Sequence, residues 1–270
     1  RFFLRNFVPE NAGQAQKHYK AARKTAEWLC YRFWQKRNKR KPDNHQYEQH
    51  CRNVWNWNSL FNFGLGFCLC KEKVKENWLA TVKKEDTVII CGDISWAMQL
   101  KEVEEDLNWL AQLPGKKILL RGNHDYWWTS LKKMQAIFGE HFAFLQNNCI
   151  MVEGTAICGT RGWLLPSSEN FTEDDNKIYQ REGIRLEMSL QAAKANNPER
   201  IIVALHYPPL FAPTEQTIFT ELMEKYEVKD CVYGHIHGEN HLAVFEEERN
   251  GVQYKLVSCD TQGFKLYKIV

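Results

Sequence analysis

From about Val74 onward, apolar positions fall into alternating strand-like and helix-like patterns, as a layered α/β domain requires. Val74 to Val82 has the pattern of an amphipathic helix end, and Thr87 to Cys91 (TVIIC) is a short β-branched run suited to a buried strand. Leu100, Val103, Leu107, Leu110 and Leu113 recur at steps of three and four, which predicts a helix with one apolar face that ends at Pro114-Gly115. A second buried strand is expected over Lys117 to Leu120, and a helix around Leu131, Met134 and Phe138.

Ile150 to Val152 and Ala156 to Cys158 flank Glu153-Gly154 as a hairpin would. Lys177 to Ala195 is helical in pattern, with Ile178, Ile184, Leu186 and Leu190 among its apolar positions, and Asn196-Asn197-Pro198 stops it. Ile201 to Leu205 and Cys231 to Tyr233 are further buried strands, separated by a helix near Thr217 to Tyr226. The remainder predicts strands at Leu242 to Phe245 and Val252 to Val257, joined through Asn250-Gly251, and a last strand at Phe264 to Val270.

Residues 1–70 follow neither period. They hold 14 of the 35 aromatic residues, and 13 Lys or Arg against 4 Asp or Glu, a balance of +9. Residues 71–270 hold 23 against 29, a balance of −6, so the overall charge of +3 conceals two unlike parts. Residues 1–70 are therefore set apart as an atypical basic segment, from a fused or frameshifted reading frame, and 71–270 as the folded domain. With 44% hydrophobic and 26% charged residues the composition is that of a globular protein. No apolar run approaches the roughly 18 residues of a membrane span. Arg1 to Val8 lacks the features of a signal peptide, so a cytoplasmic chain with a damaged or missing start is expected. Nine cysteines without regular spacing argue against a disulfide framework, and Cys91, Cys158 and Cys231 sit in apolar runs as small hydrophobes.

Four polar clusters directly follow four of the buried strands: Gly92-Asp93, Gly122-Asn123-His124-Asp125, His206, and Gly234-His235-Ile236-His237. Ligands of α/β sheets bind at the carboxyl ends of strands, so the clusters are expected to converge. Asp93 offers carboxylate oxygens, Asn123 an amide oxygen, and His206, His235 and His237 imidazole nitrogens, a mixed set suited to Mn2+, Fe, Co2+ or Zn2+. Arg161 could clamp a substrate phosphate through its planar fork of donors, or serve as an ordinary ion-pair partner. Tyr126, Trp127, Trp128 and Trp163 could stack on a substrate but suit core packing better.

Taken in order, the G-D, G-N-H-D, lone His and G-H-x-H motifs resemble the calcineurin-like metallophosphoesterase superfamily over about residues 74–270. Gly159-Thr160-Arg161-Gly162-Trp163 is further similar to a bacterial subfamily of phosphohydrolases. The resemblance implies an αββα sandwich of two mixed sheets and a metal-dependent phosphohydrolase that cleaves phosphate esters with a hydroxide held by two divalent ions, Mn2+ foremost. It implies that Asp93 bridges the metals, that Asn123, His206 and His235 complete the second metal's ligands, and that His237 binds the first. His124 would act beside the leaving group, held in orientation by Asp125.

The family's first strand, ending in Asp-x-His, is not recognisable. Asp43-Asn44-His45 has that spacing but follows a basic run and Pro42, and a solvated loop is the expectation there. A catalytically impaired relic that binds metal or a phosphorylated ligand is accordingly the competing reading. A nucleic-acid binder acting through Lys36 to Lys41 is a third, although such runs are commonly solvated. Cys68-Leu69-Cys70 has no matching second pair for zinc, and His18, His50, His141 and His241 are expected at the surface.

Overall fold

The computed structural model describes residues 65–238 and 244–269. The chain divides into two compact units, and the one that includes Trp78–Val270 holds both sheets. In chain order the elements are α1 (Leu65–Thr81), β1 (Thr87–Ile90), α2 (Leu100–Ala111), β2 (Lys116–Leu120), α3 (Leu131–Phe138), β3 (Phe142–Leu145), β4 (Cys149–Val152), β5 (Thr155–Thr160), α4 (Glu173–Lys194), β6 (Arg200–Leu205), α5 (Ile218–Lys225), β7 (Asp230–Tyr233), β8 (Glu248–Arg249) and β9 (Val252–Leu256). The expected helices and buried strands are thus present, and Lys36 to Lys41, Asp43 to His45 and Cys68 to Cys70 lie outside the described side chains.

Two sheets form a mixed α/β fold consistent with the expected four layers. One has the order β1-β2-β3 and the other β4-β5-β6-β7-β9-β8. The first is wholly parallel among the described residues, so of the two sheets expected to be mixed only the second is. Period-two alternation divides each strand between two cores. Ile118 and Leu120 of β2 meet Ile157, Ile202, Ala204 and Val232 of the second sheet in the layer between the sheets. Their neighbours Ala156, Cys158, Ile201, Val203, Leu205, Cys231 and Tyr233 face the other way, against Leu186 and Leu190 of α4 and Phe219 and Met223 of α5. The strands of the small sheet run parallel, joined through α2 and α3, and Ile118 and Leu120 of β2 face the second sheet. Lys117, pointing away from the inter-sheet core, directs its ammonium at the carbonyls of Ala111 (3.2 Å) and Leu113 at the end of α2.

Several details differ from the sequence reading. Helix α4 begins at Glu173, ahead of Lys177, because Thr172 and Asp175 form a capping box. Ile184 belongs to the expected apolar face but is 61% exposed, whereas Leu186 and Leu190 are fully buried. The strand joined to β9 through Asn250 (φ 50°) and Gly251 (φ 79°) is Glu248–Arg249, and Val244 and Phe245 are not in a strand. Residues 264–269 also form no strand: Phe264 lies in a turn at φ 61°, and Ile269 enters the inter-sheet core from irregular backbone. Strand β3 was not foreseen; its four residues sit between a helix end and a turn, too short for alternation to register. Among the described residues no helix is long and apolar enough to cross a membrane.

The α4 face is testable. Leu186→Ala should cost about 2–5 kcal/mol through the cavity it leaves, and Ile184→Ala within about 0.5 kcal/mol of nothing. Urea unfolding midpoints of the two variants, compared at equal slope, measure the difference.

Candidate metal centre

The four polar clusters sit at the carboxyl ends of β1, β2, β6 and β7, two strands from each sheet, and the structure brings them together. Ligating atoms of Asp93, His206 and His235 all lie within 4.8 Å of one another. Asn123 Oδ1 lies 2.7 Å from His206 Nε2 and 3.0 Å from His235 Nδ1, and those two nitrogens are 3.2 Å apart. Asp93 Oδ2 is 3.5 Å from His206 Nε2.

Close approach here is a backbone achievement. A Cβ on Gly92 would come within 2.6 Å of Gly122 backbone and 2.7 Å of His206 Nδ1, and one on Gly122 within 2.1 Å of Asp93 Oδ1. Two residues of the cluster adopt the left-handed region, Asp93 at φ 54° and His235 at φ 70°, a strained state that non-glycine residues occupy where surrounding structure compels it.

The compelling agent at Asp93 is Asp125. Its carboxylate is fully buried and accepts from Asp93 N (2.9 Å), Gly122 N (2.7 Å), Ile94 N (2.9 Å), Ser95 N (3.1 Å) and Trp127 Nε1 (3.0 Å). Burial and, less strongly, the Asp93 charge push its pKa up to about 6 against the pull of these donors. Its oxygens thereby pin the β1 and β2 loops together. The His124 ring stacks on Trp96 (4.1 Å between centroids, 9° between planes), with Nδ1 3.2 Å from the Tyr126 hydroxyl, and His124 N donates to Asp93 Oδ1 at 2.9 Å.

The donor set fits a cation. His206 Nδ1 lies 2.8 Å from the Cys91 carbonyl, which assigns the proton to that nitrogen and leaves Nε2 as a lone pair turned to the cluster. Asp93, Asn123 and His206 then converge as acceptors. A proton on His235 Nδ1 can serve Asn123 or His206, but none lies between Asn123 Oδ1 and His206 Nε2 at 2.7 Å. Protonating the rings is disfavoured, since burial pulls both His206 and His235 down to about 3. A divalent ion satisfies all four groups at once.

His237 falls outside this cluster of three. Its Nδ1 is held at 2.8 Å by Asp260 Oδ1, and Gly238 N donates to Asp260 Oδ2 at 2.9 Å. Burial would raise Asp260, but its bonds from His237 and Gly238 prevail and keep it below the usual carboxylate range. A carboxylate fixing one nitrogen of a histidine is how a metal-binding imidazole is oriented. Asp260 was missed in the sequence, though a carboxylate soon after the β9 strand is the same signal that marked Asp93. Trp96 and Glu182 were also missed.

Arg161 follows β5, and its carbonyl accepts from both His206 N and Tyr207 N at 3.0 Å. Its guanidinium lies 4.4 Å from the Trp163 ring centre, and Trp163 is fixed through Nε1 to Asp175 in the α4 cap at 2.9 Å. Tyr207 bridges Trp163 (5.3 Å) and His235 (4.1 Å). Trp127 and Trp128 are core residues, as expected, while Tyr126 is 47% exposed.

The sequence model of the calcineurin-like phosphoesterases matches residues 43–239. The chain belongs to this family. The match starts at Asp43, within the segment 1–70 that charge balance had set apart. A search of curated proteins finds no match. Solved structures similar to the chain include a protein of unknown function, AQ665, from Aquifex aeolicus (20% identity, 79% of this chain and 87% of that one, TM-score 0.39). TT1561 of Thermus thermophilus is also similar (13% identity, 63% and 77%, TM-score 0.46), as is the sulfate thiohydrolase SoxB of the same genus (14% identity, 64% and 33%, TM-score 0.37).

If Asp125 is the pin described, Asp125→Asn should destabilise severely, by about 3 kcal/mol or more, because an amide NH2 then faces backbone N–H groups. Thermal unfolding with and without added Mn2+ measures it; loss confined to metal affinity, with unchanged apo stability, would contradict that assignment.

Proposed function

We propose that the protein is a metal-dependent phosphohydrolase acting on phosphate esters. The observation that carries this reading is the cluster of Asp93, Asn123, His206 and His235, four acceptor-bearing side chains meeting at strand ends in a family of phosphoesterases. These four residues would hold one divalent ion, and Asp93 with the Asp260-oriented His237 would contribute to a second. When bound, such ions acidify water and neutralise phosphoryl oxygens, with Mn2+ our first choice and Fe, Co2+ or Zn2+ alternatives.

The chain's own groups do the rest. His124, clamped between Trp96 and the Tyr126 hydroxyl, stands ready to pass a proton from Nε2 to the leaving oxygen. Its backbone N–H fixes the Asp93 carboxylate, so the same residue orders ligand and proton donor. Arg161 would grip phosphate oxygens. We place the activity in the cytoplasm, acting on a soluble phosphate ester, with no membrane or nucleic-acid partner.

A second reading is a relic that keeps metal without turnover. It is motivated by the described residues, which supply a full set of ligands for one ion only. Since the family match reaches back to Asp43, Asp43 and His45 are the candidates for the remaining ligands of the second ion.

Purified protein with Mn2+ should hydrolyse p-nitrophenyl phosphate. His124→Ala should lower the rate about 10²–10⁴-fold with metal content intact, whereas Asp93→Ala should lose both. Two ions per chain, falling to one in Asp43→Asn or His45→Asn, would support a dinuclear enzyme. A folded protein with one ion and no turnover would favour the relic.

A further inference from the structure

Strands β4 and β5 set two cysteines directly opposite one another. The antiparallel register pairs Cys149 with Cys158, and both are free thiols. The connecting loop is Glu153 (φ 47°) and Gly154 (φ 81°), whose left-handed backbone suits a two-residue hairpin turn. In such a hairpin the closing pair, here Val152 and Thr155, is hydrogen-bonded, and the two kinds of pair alternate outward from it. Cys149 and Cys158 therefore form a non-hydrogen-bonded pair, the kind whose Cα atoms stand about 4.5 Å apart with the side chains closest. That separation falls within the roughly 4.4–6.8 Å that a disulfide spans.

Both thiols lie on the face of the sheet that packs on α4. Cys158 is fully buried, and its Sγ donates to the Ser189 carbonyl at 3.4 Å. Cys149 is half-buried on β4, the edge strand of its sheet, and its Sγ lies 3.8 Å from Sδ of Met151, which is 39% exposed. A hydrogen bond between the two thiols pulls Cys149 below the ordinary thiol range, against its burial, and together with burial pushes Cys158 above it. The outer thiol is thus the nucleophile towards solvent, and the inner one is held behind it.

We propose that Cys149 and Cys158 are a reversible oxidation site, which closes to a cross-strand disulfide by exchange with a small disulfide such as oxidised glutathione. The Cys149 thiolate attacks one glutathione sulfur, the glutathione S–S bond breaks, and one glutathione leaves with the proton that Cys149 released. Cys158 then attacks Sγ of Cys149 and displaces the second glutathione, which takes up the Cys158 proton. Two protein thiols are oxidised and one glutathione disulfide is reduced to two thiols. Closure removes the proton that Cys158 donates to Ser189, while Gly159 N keeps its bond to Ser189 Oγ at 3.0 Å, so α4 stays tied to β5. The site is independent of the phosphohydrolase reading.

The whole folded chain, treated with oxidised glutathione, blocked at its remaining thiols and cleaved after Glu153, tests this by mass spectrometry. The half carrying Cys149 and the half carrying Cys158 should stay joined until dithiothreitol is added. Cys158→Ala should instead hold glutathione on Cys149, at least about tenfold more than the wild type retains, because the neighbouring thiol acts intramolecularly. In Cys149→Ser, Cys158 should remain unmodified. Should Cys158→Ala fail to fold, Cys158→Ser keeps a donor for the Ser189 carbonyl and takes its place. Halves that separate without reductant, a wild type that keeps glutathione on Cys149, or either cysteine bonded to a different one overturns the proposal.

Discussion

Electron pairs on neighbouring oxygen and nitrogen atoms repel, and the centre of this protein forces several of them together. Asn123 Oδ1 and His206 Nε2 stand 2.7 Å apart with the ring proton committed to the opposite side, against Cys91. Burial blocks the easy escape of protonation, because an imidazolium in a dry site is costly. The architecture is therefore stable in this form only to the degree that the surrounding frame resists expansion, and a cation converts the same repulsion into coordination.

That resistance comes from both sheets. Inter-sheet packing of Ile118, Leu120, Ile157, Ile202, Ala204 and Val232 sets the separation between the β1–β2 ends and the β6–β7 ends. Across that gap the centre is bridged by Gly92, close enough to both Gly122 and His206 to admit no side chain. Asp125 supplies the local pin, exchanging the water it loses for five N–H donors and thereby holding Asp93 in a left-handed conformation. On the other side the Arg161 carbonyl gathers two successive amides at His206 and Tyr207. Rigidity is built from buried polar bonds whose loss would leave donors stranded.

Much of this was legible in the sequence because it depends on local pattern. Short β-branched runs followed at once by Gly-Asp, Gly-Asn-His-Asp, His and Gly-His-x-His announce strand ends bearing ligands, and parallel strands carry such ends to one edge. What failed was whatever depends on the partner chosen in space. That Asp125 gathers four backbone N–H donors and the Trp127 indole could not be read from its place beside His124. Ile184 fits a helical stripe, yet the sheet beneath α4 is met by Leu186 and Leu190. The irregular end, where Ile269 enters the core without strand geometry, has apolar content like a strand but no ladder among the described residues.

Helix α4 shows why the site extends beyond its ligands. Three of its residues reach the end of β5 and the segment after it: Asp175 takes the Trp163 indole, Glu182 takes the Thr160 hydroxyl, and Ser189 accepts from Gly159 N at 3.0 Å. They lie seven residues apart along one helical face, roughly two turns each, so a single rigid rod fixes three members of Gly159-Thr160-Arg161-Gly162-Trp163. Arg161 is left as the member whose side chain the helix does not fully satisfy. The helix thereby fixes the backbone from which Arg161 projects. Packing alone would have needed neither the buried carboxylate nor the charge.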